Sequence, residues 1–395
     1  MPAVRIVKQR ILFVDEDANL LHSLQRLLRP QRTGWDMVFA DDPQQAMTLL
    51  AAGNFDVVVS DIRMPGLDGA GFPAEIARLA PSSLRVILSG CTEQSGLFRS
   101  VGLAHQYLAK PCEPEAIIAL MDRTRQLRGV LGDFRLRAVV AGLRNLPSPP
   151  ALYRRLTEAL LPDDGSTEAV AEIIDTDMAM TAGLLKVTNS SYFAVSSGVT
   201  SVSRAIRLLG LETVRALAAD HGIFRRCPDK PGLAPQLDLM NEHGVALARL
   251  ARRLAADDGA DAAMTSDAYC AGLLSGIGAL ILLDADPDAY QKALATIDEA
   301  DFEPRERAVF GASHAEIGAY LLGLWGFSAA MVEAVYYQLR PSDCRNQGRS
   351  ALTYLHLARA CGPPFPLLAK PLLPRVLLDR SYARRLAMGT EAGGA

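Results

Sequence analysis

The stretch VVVSDIRMPGLDG, residues 57–69, joins a run of three valines to an acidic turn. Three β-branched residues in a row, with no polar alternation, predict a short strand covered on both faces. Asp61 follows the run closely, and Met64-Pro65-Gly66 then makes a turn. Four more apolar runs flank it: Ile11 to Val14, Met37 to Ala40, Val86 to Leu88 and Tyr107 to Ala109. Amphipathic stretches separate these runs, such as Leu20, Leu21, Leu24, Leu27 and Leu28 at helical spacing. Asp42-Pro43 supplies an N-cap and a first-turn proline for the second helix, with Gly53 to close it. Strand and helix alternating at this interval predict βαβ units, hence a doubly wound α/β domain on a parallel sheet.

In an open parallel sheet, function gathers at the carboxyl ends of the strands. Asp15 and Glu16 follow the first strand, Asp61 the third, Ser89 ends the fourth, and Lys110 follows the fifth just before Pro111. Three acidic groups at neighbouring strand ends repel one another unless a cation joins them. Mg²⁺ suits such a place, because it takes oxygen ligands, needs few from protein and keeps exchangeable waters. A carboxylate beside it can attack a phosphoryl donor to give an acyl phosphate. A lysine and a hydroxyl opposite can hold the phosphoryl oxygens.

ILFVDED (11–17), VVVSDIRMPGLDG (57–69), VILSG (86–90) and YLAKP (107–111), in that order, resemble the receiver domain of two-component response regulators. The resemblance covers residues 9–130 and implies a flavodoxin-like, CheY-like fold. By that resemblance Asp61 is the phosphoacceptor, and Asp15, Glu16, Asp61 and the backbone carbonyl of Arg63 hold Mg²⁺. Ser89 and Lys110 take the phosphoryl group, and Tyr107 stands where the family keeps an aromatic that changes rotamer. Glu16 is one methylene longer than the usual aspartate, and Ser89 replaces the commoner threonine; both keep the required oxygen.

After residue 130 the strand-like runs stop, and helical patterns rich in Ala, Leu and Arg continue. Leu127, Val130, Leu131 and Phe134 keep one apolar stripe, which predicts that the last receiver helix runs on as a stiff connector over 131–150. Leu146-Pro147-Ser148-Pro149-Pro150 then breaks the helix. The segments AEIIDTDMAMTAGLLKVTNSSYFAV (171–195), SVSRAIRLLGLETVRALA (201–218), NEHGVALARLARRLA (241–255), AYCAGLLSGIGALILL (268–283) and HAEIGAYLLGLWGFSAAMVEAVYYQ (314–338) resemble the HDOD domain. That likeness covers about 135–340 and implies an all-α output domain, taken as 151–340, related to HD-type metal phosphohydrolases. Residues 341–395 read as a helical extension, with breaks at Pro363, Pro364 and Pro366 and a frayed end from Gly389.

HD enzymes need histidines and aspartates converging on a metal. By the resemblance His243 stands for the first histidine, but Ser275-Gly276 replaces the His-Asp pair, and Tyr336-Tyr337 stand where relatives often carry histidines. The implication is a helical domain without its metal and without a hydrolase reaction. What is left is a pocket that His243, Ser275 and His314 could line for a small anionic ligand, against the simpler reading of core packing. The alternative is a receiver-controlled cyclic-dinucleotide phosphodiesterase of HD type, against which Ser275-Gly276 counts.

Of the 395 residues 49% are apolar and 22% charged, with net charge −3, which gives no polyanion-binding surface. Arg249, Arg252 and Arg253 read as a solvated helix face, and no helix-turn-helix follows the receiver, so no DNA partner is expected. Six scattered cysteines without a C-x-x-C pair predict reduced thiols and a cytoplasmic setting. The opening MPAVRIVKQR has no apolar core of a signal peptide. The uncharged runs Ala268 to Leu283 and Ile317 to Val332 are too short to span a membrane and predict buried helices. The expected protein is thus a response regulator whose output is contact rather than chemistry. Its expected partners are a sensor histidine kinase or phosphotransfer protein and a downstream protein, with a homodimer allowed.

Overall fold

A computed structural model of the protein describes residues 8–61, 71–90, 102–161, 166–190, 198–219, 222–230, 232–295, 302–346, 348–366, 379 and 381–382. The side chains of residues 128 and 134 lie outside that description.

The N-terminal part runs β1 (Gln9–Val14), α1 (Ala18–Leu27), β2 (Trp35–Ala40), α2 (Pro43–Ala52), β3 (Val57–Asp61), α3 (Gly71–Leu79), β4 (Leu84–Gly90), β5 (Gln106–Lys110) and α4 (Pro114–Val130). All five strands are parallel, in the order β2-β1-β3-β4-β5. This is the doubly wound order of flavodoxin-like domains. Each predicted apolar run lies inside a strand. One face of the sheet packs Leu12, Val14 and Val58 against Leu50, Phe72 and Ile76 of α2 and α3. The other face packs Ile11, Phe13, Val57 and Val59 against Leu21 and Leu24 of α1 and Ile117 and Met121 of α4. Asp42 caps α2 by accepting the Gln45 amide at 2.9 Å, and Pro43 opens it.

The last receiver helix does not run on. It ends at Val130, where Leu131 turns extended, and Asp133 caps a new helix α5 (Phe134–Ala141) by accepting the amides of Arg135 and Leu136. The apolar stripe was continuous, but Gly132-Asp133 offers a cap that outcompetes one more helical turn.

The rest is helical: α6 (Pro150–Leu160), α7 (Thr167–Ile174), α8 (Met178–Thr188), α9 (Val202–Leu209), α10 (Leu211–Ala219), α11 (Leu233–Asp257), α12 (Ala262–Leu274), α13 (Ile277–Ala285), α14 (Pro287–Leu294), α15 (Phe302–Phe310), α16 (His314–Leu324), α17 (Ala329–Tyr336) and α18 (Ala351–Cys361). A two-residue strand pair, β6 (Pro147–Ser148) with β7 (Arg225–Arg226), ties the start of this part to its middle. Helices α11, α12 and α18 pack together, and α13 lies along α16. The stretch Ala262–Ala285 is long and apolar enough to cross a membrane, and 89% of its most apolar window is buried inside the protein. Its glycines permit the close packing: a Cβ on Gly272 would stand 2.6 Å from the Cα of Ala248, and one on Gly278 would overlap the carbonyl oxygen of His314.

The two parts share a buried seam at the amino end of β4 and β5. Arg85 sends Nε to the Leu103 carbonyl at 2.7 Å and Nη2 to the Ala141 carbonyl at 2.6 Å. His105 Nδ1 accepts the Arg85 amide at 2.9 Å, so its proton sits on Nε2, which donates to the same Ala141 oxygen at 2.8 Å. The 3.1 Å approach of Arg85 Nη2 to His105 Nε2 is therefore two donors sharing one acceptor. Further along, Gln106 Nε2 donates to the Leu324 carbonyl at 2.8 Å, and Leu127 of α4 nests over Gly323. Lys186 of α8 lies over the Trp325 ring at 5.0 Å, and burial, then the Arg85 charge, lowers its pKa to about 7.

Gly326 sits at this seam with φ +85°, a left-handed conformation that costs other residues about 1–2 kcal/mol. A Cβ there would also stand 2.8 Å from Gln106 Nε2 and 2.9 Å from the Asn189 carbonyl. Gly326→Ala is expected to lower stability by about 2 kcal/mol and to speed proteolysis between the two parts. An unchanged melting curve and cleavage rate would refute this.

Candidate functional site

The carboxyl ends of β1, β3 and β5 bring the predicted acids and base into one pocket. Lys110 Nζ lies 2.7 Å from Asp15 Oδ2 and 2.7 Å from Asp61 Oδ1. Asp15 and Asp61 are 1% and 3% exposed. Asp15 Oδ1 also accepts the Asp17 amide at 3.0 Å, and the Asp17 carboxylate in turn caps α1. Burial holds the Asp15 carboxyl above its usual range, opposed chiefly by Lys110. Glu16 is exposed at the rim, and partial burial, then the charges of Asp61 and Asp15, raise it too. For Lys110 burial pulls downward, but the hydrogen bonds to Asp15 and Asp61 outweigh it and raise the ammonium.

Three carboxylates facing one described cation leave the pocket short of positive charge. Its donors, all carboxylate oxygens, are of the kind a small hard ion such as Mg²⁺ takes, but with Lys110 on Asp15 and Asp61 the three as they stand do not form a group that could hold one. Arg63, whose carbonyl was expected to join, lies outside the described residues. Ser89 is fully buried at the end of β4, and among the described residues its hydroxyl makes a long 3.4 Å bond to the Gly90 carbonyl. Tyr107 is 1% exposed, on the face of β5 that pairs with Ile87, within electrostatic reach of Arg85 and so of the seam. The Lys110-Pro111 peptide is cis.

In the helical part, His243 and His314 both lie against one ring, that of Phe365. His314 opens α16 inside a capping box made by Ser313 and Glu316, and its Nδ1 lies 2.6 Å from Glu306 Oε2. Glu306 also accepts the His314 amide at 2.8 Å and the Tyr290 hydroxyl at 2.9 Å. The Ser275 hydroxyl returns to the Gly272 carbonyl at 2.8 Å, and its own carbonyl accepts from Gln338. Tyr336 and Tyr337 line a cleft against α4, together with Arg123 and Leu127. Among the described residues no three His, Cys, Asp or Glu side chains form a group that could hold a metal ion.

The Glu306–His314 pair, the Arg85–His105 clamp and buried Lys186 were not foreseen. Glu306 is one acid in the charged run FEPRER, and nothing in its spacing sets it apart. The clamp binds a backbone carbonyl, which has no sequence signature.

Burial holds His243 neutral, its pKa lowered to about 3, and likewise pushes His105 well below 6.5. Both folded values lie under the unfolded one, so below pH 6.5 the unfolded chain takes protons that the native chain refuses. Stability then falls by about 1.4 kcal/mol per pH unit for each histidine. Asp177, raised by burial to about 6, works the other way as it protonates. From pH 6.5 to 5 these three groups together give an expected loss of about 2 kcal/mol. Denaturant titrations at the two pH values check it, and equal midpoints would contradict it.

Two family models match the chain: the response regulator receiver domain over residues 11–122 and the HDOD domain over residues 146–341. It is 28% identical over 152 residues to the hydrogenase transcriptional regulatory protein HoxA of Cupriavidus necator, covering 38% of this chain and 30% of that one. It is 23% identical over 244 residues to a protein of Treponema pallidum, covering 61% and 47%. The chain thus spans about a third to a half of the length of these curated relatives. Among solved structures, the MmoQ response regulator of Methylococcus capsulatus is 25% identical, with 61% of this chain and 98% of that chain covered and a TM-score of 0.48.

Proposed function

The chain is a two-component regulator that joins a receiver domain to an HDOD domain, and on that premise we propose that Asp61 is its phosphoacceptor. The observation that carries this is the 2.7 Å contact of Lys110 Nζ with both Asp15 and Asp61 in a buried pocket at the strand ends. A carboxylate oxygen of Asp61 attacks phosphorus, and the bond from phosphorus to the donor atom breaks (a nitrogen in a phosphohistidine, an oxygen in acetyl phosphate), its electron pair leaving with the donor. Lys110 then pairs with the new phosphoryl oxygens, and the Ser89 hydroxyl donates to one of them. Mg²⁺, held by Asp15, Glu16, Asp61 and the Arg63 carbonyl, would supply charge neutralisation at the phosphoryl group.

When Lys110 turns to a phosphoryl group, the tie between β1, β3 and β5 is redrawn. Tyr107 stands on β5 between that event and the seam, and its shift is the proposed link to the helical domain. The HDOD domain then reads the change through shape and contact, without a reaction of its own. A histidine kinase or phosphotransfer protein supplies the phosphoryl group, and the setting is cytoplasmic. The test is labelling of the whole chain by acetyl phosphate with Mg²⁺, compared with the Asp61→Asn variant.

A further inference from the structure

Phe365 follows α18 in the segment Pro363-Pro364-Phe365-Pro366, where the prolines forbid helix and the chain turns back into the helical domain. Its ring is 3% exposed. It meets His243 edge-on (5.6 Å, 80°), lies nearly parallel to His314 (6.3 Å, 26°) and tilts against Phe302 (5.0 Å, 51°). Glu306, itself bonded by Tyr290, braces His314 through Nδ1, and among the described residues the buried Nε2 has no hydrogen-bond partner. His243 is 9% exposed, and among the described residues neither of its ring nitrogens has a partner.

Buried polar atoms in native proteins nearly always find a partner. Here three imidazole nitrogens lack one among the described residues, on two side chains that face the same ring, and a phenyl ring cannot satisfy them. Binding sites for small molecules have this make-up: apolar and aromatic walls with a few fixed polar groups. We infer that Phe365 holds the place of a flat, uncharged heteroaromatic ligand, and that the helical domain is a closed site for such a molecule. A ring of this kind keeps the aromatic contacts Phe365 makes, while its nitrogens and N–H groups pair with His243 and with His314 Nε2. The Glu306 carboxylate behind His314 disfavours the small anion expected from the sequence.

Residues 379 and 382, further along the chain, are tied to α18. Tyr382 is bonded to Thr353 at 2.8 Å, and the Asp379 amide to His356 Nε2 at 3.0 Å, both on α18. The site shares no residue with the acidic pocket, so it stands independently of phosphorylation at Asp61.

The test compares benzimidazole with indene, a hydrocarbon of the same shape, on the full chain at pH 8 by calorimetry. Phe365→Ala is expected to bind benzimidazole about tenfold more tightly than indene, and about tenfold more tightly than the wild type, which must first displace its own ring. Adding His243→Phe is expected to erase the preference. Should Phe365→Ala not fold, as judged by circular dichroism, Phe365→Leu carries the same comparison. Equal binding of both probes would mean a plain apolar void and would overturn the inference. So would a preference that survives His243→Phe, wild-type binding as tight as the variant's, or no benzimidazole binding to the folded variant.

Discussion

Asp61→Asn is expected to take up no phosphoryl group from acetyl phosphate and Mg²⁺ under conditions where the wild type is labelled. The amide has nearly the shape of the carboxylate, so Lys110 keeps its bond to Asp15 and the pocket keeps its packing. What it lacks is the anionic oxygen that attacks phosphorus, and nucleophilic chemistry without its nucleophile falls by orders of magnitude. Incorporation is expected below about 1% of wild type, read as acid-labile label or as a mass increase on the intact chain. Label persisting in Asp61→Asn would remove Asp61 from the role. Asp15 is the acid to examine next, because the same lysine holds it at the same distance.

Gly278→Ala is expected to destabilise the helical domain by about 3 kcal/mol, at the upper end of what overpacking commonly costs. The new methyl would overlap the His314 carbonyl, with the Gly318 amide nitrogen 2.8 Å away. Both obstacles are backbone of α16, which cannot step aside as a side chain can. Gly318 faces the same contact from the other helix, its Cβ position 2.9 Å from Ile277 Cγ2. The gain of about 1 kcal/mol in helix propensity from Gly to Ala offsets only part of this. Gly276→Ala is the control: its methyl meets the flexible end of Met178 at 3.2 Å, and its cost is expected within about 1 kcal/mol. Urea titration of both variants, followed by helical ellipticity, separates them. Equal midpoints would show that α13 and α16 have room to part.

The sequence carried the sheet because every strand is an unbroken apolar run, and it carried the acidic pocket because strand ends are where such runs stop. Asp15, Asp61 and Lys110 were legible for that reason, and the structure brings them within hydrogen-bonding distance. The connector misled, since Leu127, Val130 and Leu131 fit a helix that Asp133 then ends. The hydroxyl of Ser275 finds its acceptor one turn back, at the Gly272 carbonyl, which the sequence alone does not show. The seam was invisible for a different reason. Its acceptors are the carbonyls of Ala141 and Leu324, which any residue could supply. Likewise Phe365 lies far along the chain from His243, and no periodicity links an aromatic after a proline break to a histidine on α11.

The oxygen of Ala141 bears on how this protein can be divided. It lies outside residues 11–122, the span matched as receiver, yet it serves both Arg85 and His105 inside that span. A piece cut after Val130 keeps all five strands and α4 but strands a guanidinium and a neutral imidazole at the foot of the sheet. Each such loss costs on the order of 1–3 kcal/mol. A transplantable receiver therefore extends through Ala141, and a chimaera joined upstream of it inherits a sheet with an open foot.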